Sequence, residues 1–183
     1  TMKKRVLVSL VALVFVSTLS AYELNGDLNV KWTGFKLASK VGVSGTFNKI
    51  NFDIKKSDNL STFLKSAKVK IDAKSLESND EGRNFNITST LFSLASANFI
   101  EGTVSSVDEK NSTLVLDLVL NGVKKPISMK YSVNEGKITA NGVIDILDFN
   151  MKNSYKAFTE VCAALHEYVS YSDVNIEFSI PFK

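Results

Sequence analysis

Residues 31–54 read Lys-Trp-Thr-Gly-Phe-Lys-Leu-Ala-Ser-Lys-Val-Gly-Val-Ser-Gly-Thr-Phe-Asn-Lys-Ile-Asn-Phe-Asp-Ile, and their alternation decides the fold class. Val41, Val43, Gly45 and Phe47 fall on one face of an extended chain, with Gly42, Ser44, Thr46 and Asn48 on the other. This is the period of two that a strand imposes. After Phe47 the apolar positions become Ile50, Phe52 and Ile54, so the parity changes near Asn48 and Lys49. One extra residue there predicts a β-bulge, which bends a strand and helps a sheet to curl. Gly34, Gly42 and Gly45 weaken the strand and mark a bend or a close approach of backbone or ligand. A curled sheet carrying Trp32, the only tryptophan, near its first strand raises the question of what it encloses.

Working outward, Leu28, Val30 and Trp32 open the first long strand, which Tyr22 and Leu24 extend. Downstream, Ala67, Val69, Ile71 and Ala73 alternate with Lys68, Lys70, Asp72 and Lys74, the pattern of a strand with one dry and one wet face. Phe99 to Val107 forms the next strand, followed by Leu114, Leu116, Leu118 and Leu120 on one face of the strongest strand in the chain. Asn121-Gly122 is a two-residue hairpin signal leading into Ile127, Met129, Tyr131 and Val133. Asn134-Glu135-Gly136 turns the chain again into Ile138, Ala140, Gly142, Ile144 and Ile146, and Val174 to Phe182 closes it. Hairpins in series make the sheet antiparallel, with about eight strands.

Three stretches depart from alternation. Ser57 to Ser66 carries Leu60, Phe63 and Leu64 at helical spacing behind Asp58, read as a cap. Ser78 to Asn98 predicts a helical or irregular lid. Asn153 to Val169 predicts one longer helix before the last strand, with Tyr155, Phe158, Val161, Cys162, Leu165 and Val169 on one stripe. Eight antiparallel strands with one apolar face each form a sandwich or a closed barrel, and the bulge, glycines and consecutive hairpins favour the barrel. A barrel of this size either fills its lumen or holds one small ligand.

The amino terminus has a separate grammar. Thr1 stands as an added residue ahead of Met2; Lys3, Lys4 and Arg5 then precede the eleven-residue apolar run Val6 to Val16 and the small-residue exit Ser17 to Ala21. Residues 1–21 thus read as a removable leader containing a cleavable signal peptide, and 22–183 as a single domain exported to the periplasm or beyond. The run is too short for a stable membrane anchor, which needs about 20 apolar residues. Removing residues 1–21 takes three basic and no acidic side chains from the 22 and 19 of the whole chain, leaving 19 of each. A formally neutral domain gives no support for nucleic-acid binding. The single cysteine, Cys162, cannot form an internal disulfide, so the exported domain is held by its own core.

Several separated motifs are similar to those of the YceI family of exported bacterial proteins. They are Val30-Lys31-Trp32-Thr33-Gly34-Phe35-Lys36 with Val43-Ser44-Gly45-Thr46-Phe47, then Arg83, then Leu118-Val119-Leu120-Asn121-Gly122-Val123-Lys124-Lys125-Pro126-Ile127, then Ile144-Asp145 through Asp148-Phe149-Asn150-Met151. The resemblance spans nearly the whole of 22–183. It implies a mainly β, eight-stranded antiparallel lipocalin-like barrel with short inserted helices and one longer helix before the last strand. It also implies an elongated apolar lumen holding a polyisoprenoid or another long-chain lipid or amphiphile. The chain departs from the family's middle segment, often Arg-Asp-x-His-Leu followed by Phe-Phe and a proline. Here that segment reads Arg83-Asn84-Phe85-Asn86-Ile87 and Leu91-Phe92, without proline. The long helix with Cys162 and His166 is likewise not general to the family.

The candidate ligand-binding residues are Trp32, Phe47, Val69, Ile71, Leu116, Leu118, Ile127, Met129, Ile144 and Phe178, which share an inward face, and Arg83. The apolar ones serve equally as barrel filling. Arg83 is the only arginine of residues 22–183 and offers either a two-pronged clamp for a phosphate or carboxylate or a surface or lid-bracing salt bridge to Asp80, Glu81 or another acid. Cys162 and His166, four apart on the expected helix, define a rival thiol-redox or haem-associated reading. Cys-Ala-Ala-Leu-His lacks the second cysteine of the usual haem attachment motif, and two ligands alone make a poor metal site. No phosphate loop, Ser-His-Asp set or carboxylate pair can be assembled, so a binding protein without a cofactor is expected rather than an enzyme. The long helix would supply the interface if the protein forms a homodimer.

Overall fold

The structure is a computed structural model that describes residues 21–183; the expected signal peptide lies outside the described residues except for Ala21. The described chain runs β1 (Asn29–Lys36), β2 (Val41–Phe47), β3 (Ile50–Asp53), α1 (Leu60–Lys65), β4 (Lys68–Asp72), β5 (Leu76–Glu77) and α2 (Glu81–Asn86). It continues with β6 (Phe99–Asp108), β7 (Thr113–Leu120), β8 (Val123–Asn134), β9 (Lys137–Asp145), α3 (Lys152–Val161) and β10 (Asp173–Pro181). Ten strand segments form one antiparallel sheet in the order β3-β4-β6-β7-β8-β9-β10-β1-β2-β5.

Ten segments and eight expected strands describe the same object. β2 and β3 are one strand interrupted at Asn48 and Lys49, where the parity changes. β4 and β5 are one strand interrupted by the 3-10 turn Ala73–Ser75. The two interruptions face each other. Asn48 N–H donates to the Ser75 carbonyl (2.8 Å), Asp72 N–H to the Lys49 carbonyl (3.1 Å), and Lys49 N–H to Ser75 Oγ (2.9 Å). Pairing therefore passes from Ile50↔Ile71 to Phe47↔Leu76 without a gap, and the two ends of the strand order meet. Since β10 pairs with β1, as at Trp32↔Ile176, the ladder runs round an eight-stranded lipocalin-like barrel with each strand beside its neighbour in sequence. A further register shift lies between Val104 and Ser106 in β6.

Turn chemistry supports the hairpins. Asn121 and Gly122 both take positive φ (51° and 70°), as do Glu135 and Gly136 (47° and 73°), the left-handed pair that matches the twist of flanking strands. Because strands alternate in direction, the insertions sort to the barrel's two ends. α1 and the two ends of the described residues lie at the lower end, with Tyr22 stacked on Phe63 (5.7 Å between ring centres) and close to Phe182 (5.2 Å). α2, the π-helical turn Ile87–Phe92 that follows it, and α3 lie at the upper end, where α3 packs on the π-helical turn.

Three local expectations are corrected. The cap of α1 is Asn59, whose Oδ1 accepts from Thr62 N–H at 2.8 Å, and not Asp58. The long helix stops at Val161: after a 3-10 turn at Ala164–His166, Glu167 and Tyr168 adopt left-handed backbone (φ 49° and 63°). Its apolar stripe is correspondingly shorter, with Val161 and Leu165 exposed. Tyr22 and Leu24 form isolated bridges to Ser57 and Phe182 instead of extending β1.

Candidate functional site

The inward side chains do not meet at the barrel axis. They line a cavity of about 520 Å³, within the range of small-molecule sites. It runs from Ala67 and Phe52, near the lower end, to Arg83 and His166 at the upper end. The strands supply its wall by alternation: Val30, Trp32, Gly34 and Lys36 from β1, and Leu116, Leu118 and Leu120 from β7. Val174, Ile176, Phe178 and Ile180 do the same from β10.

Trp32, Phe47, Val69, Ile71, Arg83, Leu116, Leu118, Met129, Ile144 and Phe178 all line this cavity. Ile127 does not. It lies on the same face of its strand, but it and Met129 pack toward Gly142, where a Cβ would stand 3.3 Å from Ile127 Cγ2 and 3.0 Å from Met129 Cγ. Trp32 is wall rather than plug: its ring lies against Gly45, and its Nε1 donates to the Thr46 carbonyl at 3.3 Å. Alternation on the strands did not reveal the lid's contribution, in which Ile87, Leu91, Phe92, Tyr155 and Phe158 cover the upper end.

Polar groups gather at that end. Arg83 is held within its own segment, its Nη2 3.3 Å from Asp80 Oδ2 and its Nη1 donating to the Ser78 carbonyl at 3.2 Å. Asp80 also caps α2 by accepting from Arg83 N–H at 2.8 Å. The bracing alternative for Arg83 is thus the one its contacts realise, while the side chain still borders the lumen. Lys36, the last inward residue of β1, enters at the same place, and its alternation with Val30, Trp32 and Gly34 was already legible in the sequence.

Cys162 is buried, and burial pushes its thiol above its ordinary value, opposed in part by a hydrogen bond with Asn86 and the charge of Lys36. A reactive thiol needs the opposite shift. His166 Nδ1 is hydrogen-bonded to Ser170 Oγ at 2.7 Å, and the ring stands edge-on to Phe158. Burial pushes this imidazole below its ordinary value, and the charges of Lys36 and Arg83 push the same way. Among the described residues no cluster of three or more His, Cys, Asp or Glu side chains is placed to hold a metal ion. Nothing in this geometry favours the redox or haem reading.

The sequence of residues 22–182 matches the YceI-like domain. The chain belongs to the YceI family. Solved structures superpose on it with low sequence identity. BcnA of Burkholderia cenocepacia is 17% identical with a TM-score of 0.59, over 84% of this chain and 94% of that one. A polyisoprenoid binding domain from Saccharophagus degradans is 15% identical with a TM-score of 0.57, over 89% and 97%. The Campylobacter jejuni YceI protein is 17% identical with a TM-score of 0.57, over 78% and 86%. At such identities the likeness is one of fold. No curated protein matches the chain in sequence.

Proposed function

We propose that this YceI-family chain is an exported, non-catalytic carrier or sequestering protein that holds a polyisoprenoid or another long-chain lipid or amphiphile along its barrel. The single observation that carries this reading is the lumen: about 520 Å³, walled almost wholly by aliphatic and aromatic side chains, with Lys36, Arg83 and His166 gathered at its upper end. Such a tube suits a ligand with a long apolar body and one wet end. The fold it shares with the polyisoprenoid binding domain of Saccharophagus degradans supports the same reading.

Energetics set the ligand's length. Burial of each CH₂ contributes about 0.8 kcal/mol. The freedom lost on association costs on the order of 4–15 kcal/mol. Ten methylenes contribute about 8 kcal/mol, inside that range, so retention should strengthen steeply as the chain lengthens beyond this. Export to the periplasm follows from the leader, and the residues given a ligand role are Trp32, Phe47, Val69, Ile71, Leu116, Leu118, Met129, Ile144 and Phe178 as wall, with Arg83 at the mouth.

The test is to purify the protein from the periplasm of a bacterial host and examine it by native mass spectrometry, then by organic extraction. A co-purifying long-chain species, released on unfolding, is expected. A protein of bare polypeptide mass that also fails to take up any long-chain amphiphile overturns the reading.

A further inference from the structure

The inward face of β1 changes character along its length: Val30 and Trp32 are apolar, Gly34 leaves open space, and Lys36 ends the row with an ammonium at the upper mouth. Lys36 is only partly exposed, and among the described residues its Nζ has no carboxylate within ion-pair distance, although other lysines do. Three acids of this end are committed elsewhere, and among the described residues Glu81, Asp148 and Glu167 form no ion pair with Lys36. Asp80 pairs with Arg83 and caps α2, Asp173 pairs with Lys40, and Asp145 accepts from Leu147 N–H.

The surrounding backbone fixes where that charge sits. Lys36 bridges to Ser170, flanked by Leu37 N–H donating to the Val169 carbonyl (3.1 Å) and Tyr171 N–H to that of Phe35 (3.3 Å). The hydroxyl of the same Ser170 holds His166 Nδ1, leaving the other ring nitrogen without a hydrogen bond among the described residues. One strand end thus sets a lysine, a histidine and, across the mouth, Arg83 around the opening of an apolar tube. A partly desolvated cation without a counter-ion is costly, and an oxyanion delivered on the end of a hydrophobic chain would compensate it.

We propose that Lys36 anchors an anionic oxygen head group, carboxylate or phosphate, at the upper mouth, so that the lumen selects acidic amphiphiles over neutral ones of equal length. This rests on the carrier reading above. His166 is a neighbour that senses the anion, and Arg83, held by Asp80 and Ser78, contributes its field rather than a two-pronged grip. Lysine suits the role because its ammonium acts as a compact point charge that needs no fixed fork geometry.

The experiment compares two matched pairs of probes at about pH 8, where carboxylates are ionised: hexadecanoate against hexadecanamide, and geranylgeranyl phosphate against geranylgeraniol. Affinities are measured on the wild type, Lys36→Met, which keeps most of the aliphatic stem, and Lys36→Arg, with circular dichroism to check folding. In at least one pair the wild type should prefer the anion by about ten- to hundredfold. The better pair distinguishes carboxylate from phosphate. Lys36→Met should abolish the preference by weakening only the anion, and Lys36→Arg should keep most of it. The His166 imidazole, followed by NMR, should titrate at higher pH when the anion is bound and not when its neutral partner is. Tight binding of acid and neutral probes alike, or a preference that survives in Lys36→Met, overturns the head-group assignment and leaves the carrier reading standing. Failure of all four probes to bind overturns both.

Discussion

The indole of Trp32 lies over the α-carbon of Gly45, its register partner across the β1–β2 pair. A side chain at position 45 would collide with the ring on one side and with the Glu77 carbonyl of β5 on the other. This contact joins the tryptophan to the seam where β2 and β5 close the barrel. Gly45→Ala should therefore overpack the seam and cost about 1–3 kcal/mol, read as a lower urea midpoint. Displacement of the ring should also shift the Trp32 emission maximum. An unchanged midpoint would mean that the indole is not seated on the glycine.

Gly34 is the opposite case. It lines the lumen, its φ is not in the left-handed region, and a Cβ there meets nothing within 4 Å. Gly34→Leu should accordingly fold as well as the wild type while filling part of the cavity. Retention of a co-purifying or added long-chain probe should fall at least tenfold, at an unchanged melting temperature. A fall in both would show that position 34 is packed, and a fall in neither that the ligand lies elsewhere.

Much of the barrel was legible because a strand with one dry face must alternate, and a break in alternation must appear as a break in the strand. Asn48 and Lys49 show this directly. The matching interruption in the partner strand leaves no mark on the sequence pattern, because Ala73 keeps the parity of Val69 and Ile71 while the backbone tightens into a 3-10 turn. The end of α3 is hidden for a related reason. Leu165 and Val169 continue the helical spacing, yet Glu167 and Tyr168 take left-handed backbone that no apolar pattern announces. On the wall, parity picks the inward face but not the distance to the axis, which is why Ile127 fell among the expected lining residues although it packs toward Gly142. The lid side chains belong to a segment without periodicity, so their place over the lumen depends on tertiary packing alone.

His166 makes stability depend on pH in a window of its own. Burial and the charges of Lys36 and Arg83 hold its imidazole below the ordinary value of about 6.5. A group depressed in the folded state contributes stability that is present above its unfolded value and lost as pH falls through its folded value. The carboxylates of Glu77, Asp108 and Asp117 are also held low, by hydrogen bonds with Asn84, Asn111 and Lys124, and they act only in the more acidic carboxylate range. The denaturation midpoint should thus begin to fall as pH drops below about 6.5 and fall again near 4. His166→Gln, which can still hydrogen-bond Ser170, should remove the first fall and leave the second. A variant that retains both would place the first titration on another group.

Cys162 provides the sharpest separation between a lumen and a thiol as the working part of the molecule. Its side chain, at the end of α3 in the lid, is buried and borders the cavity, and burial pushes its thiol up, so little thiolate exists at neutral pH. Iodoacetamide at about pH 8 should modify it far more slowly than a free thiol of ordinary pKa near 8.5, and the rate should rise only when urea unfolds the chain. A long-chain probe seated in the lumen should slow the reaction further, because the thiol borders the space the probe fills. Cys162→Ala should cost about 1 kcal/mol of stability and leave probe affinity within a factor of two. Rapid modification of the folded protein, unaffected by the probe, would instead require an accessible, activated thiolate, and the burial of Cys162 at the end of α3 would have to be abandoned.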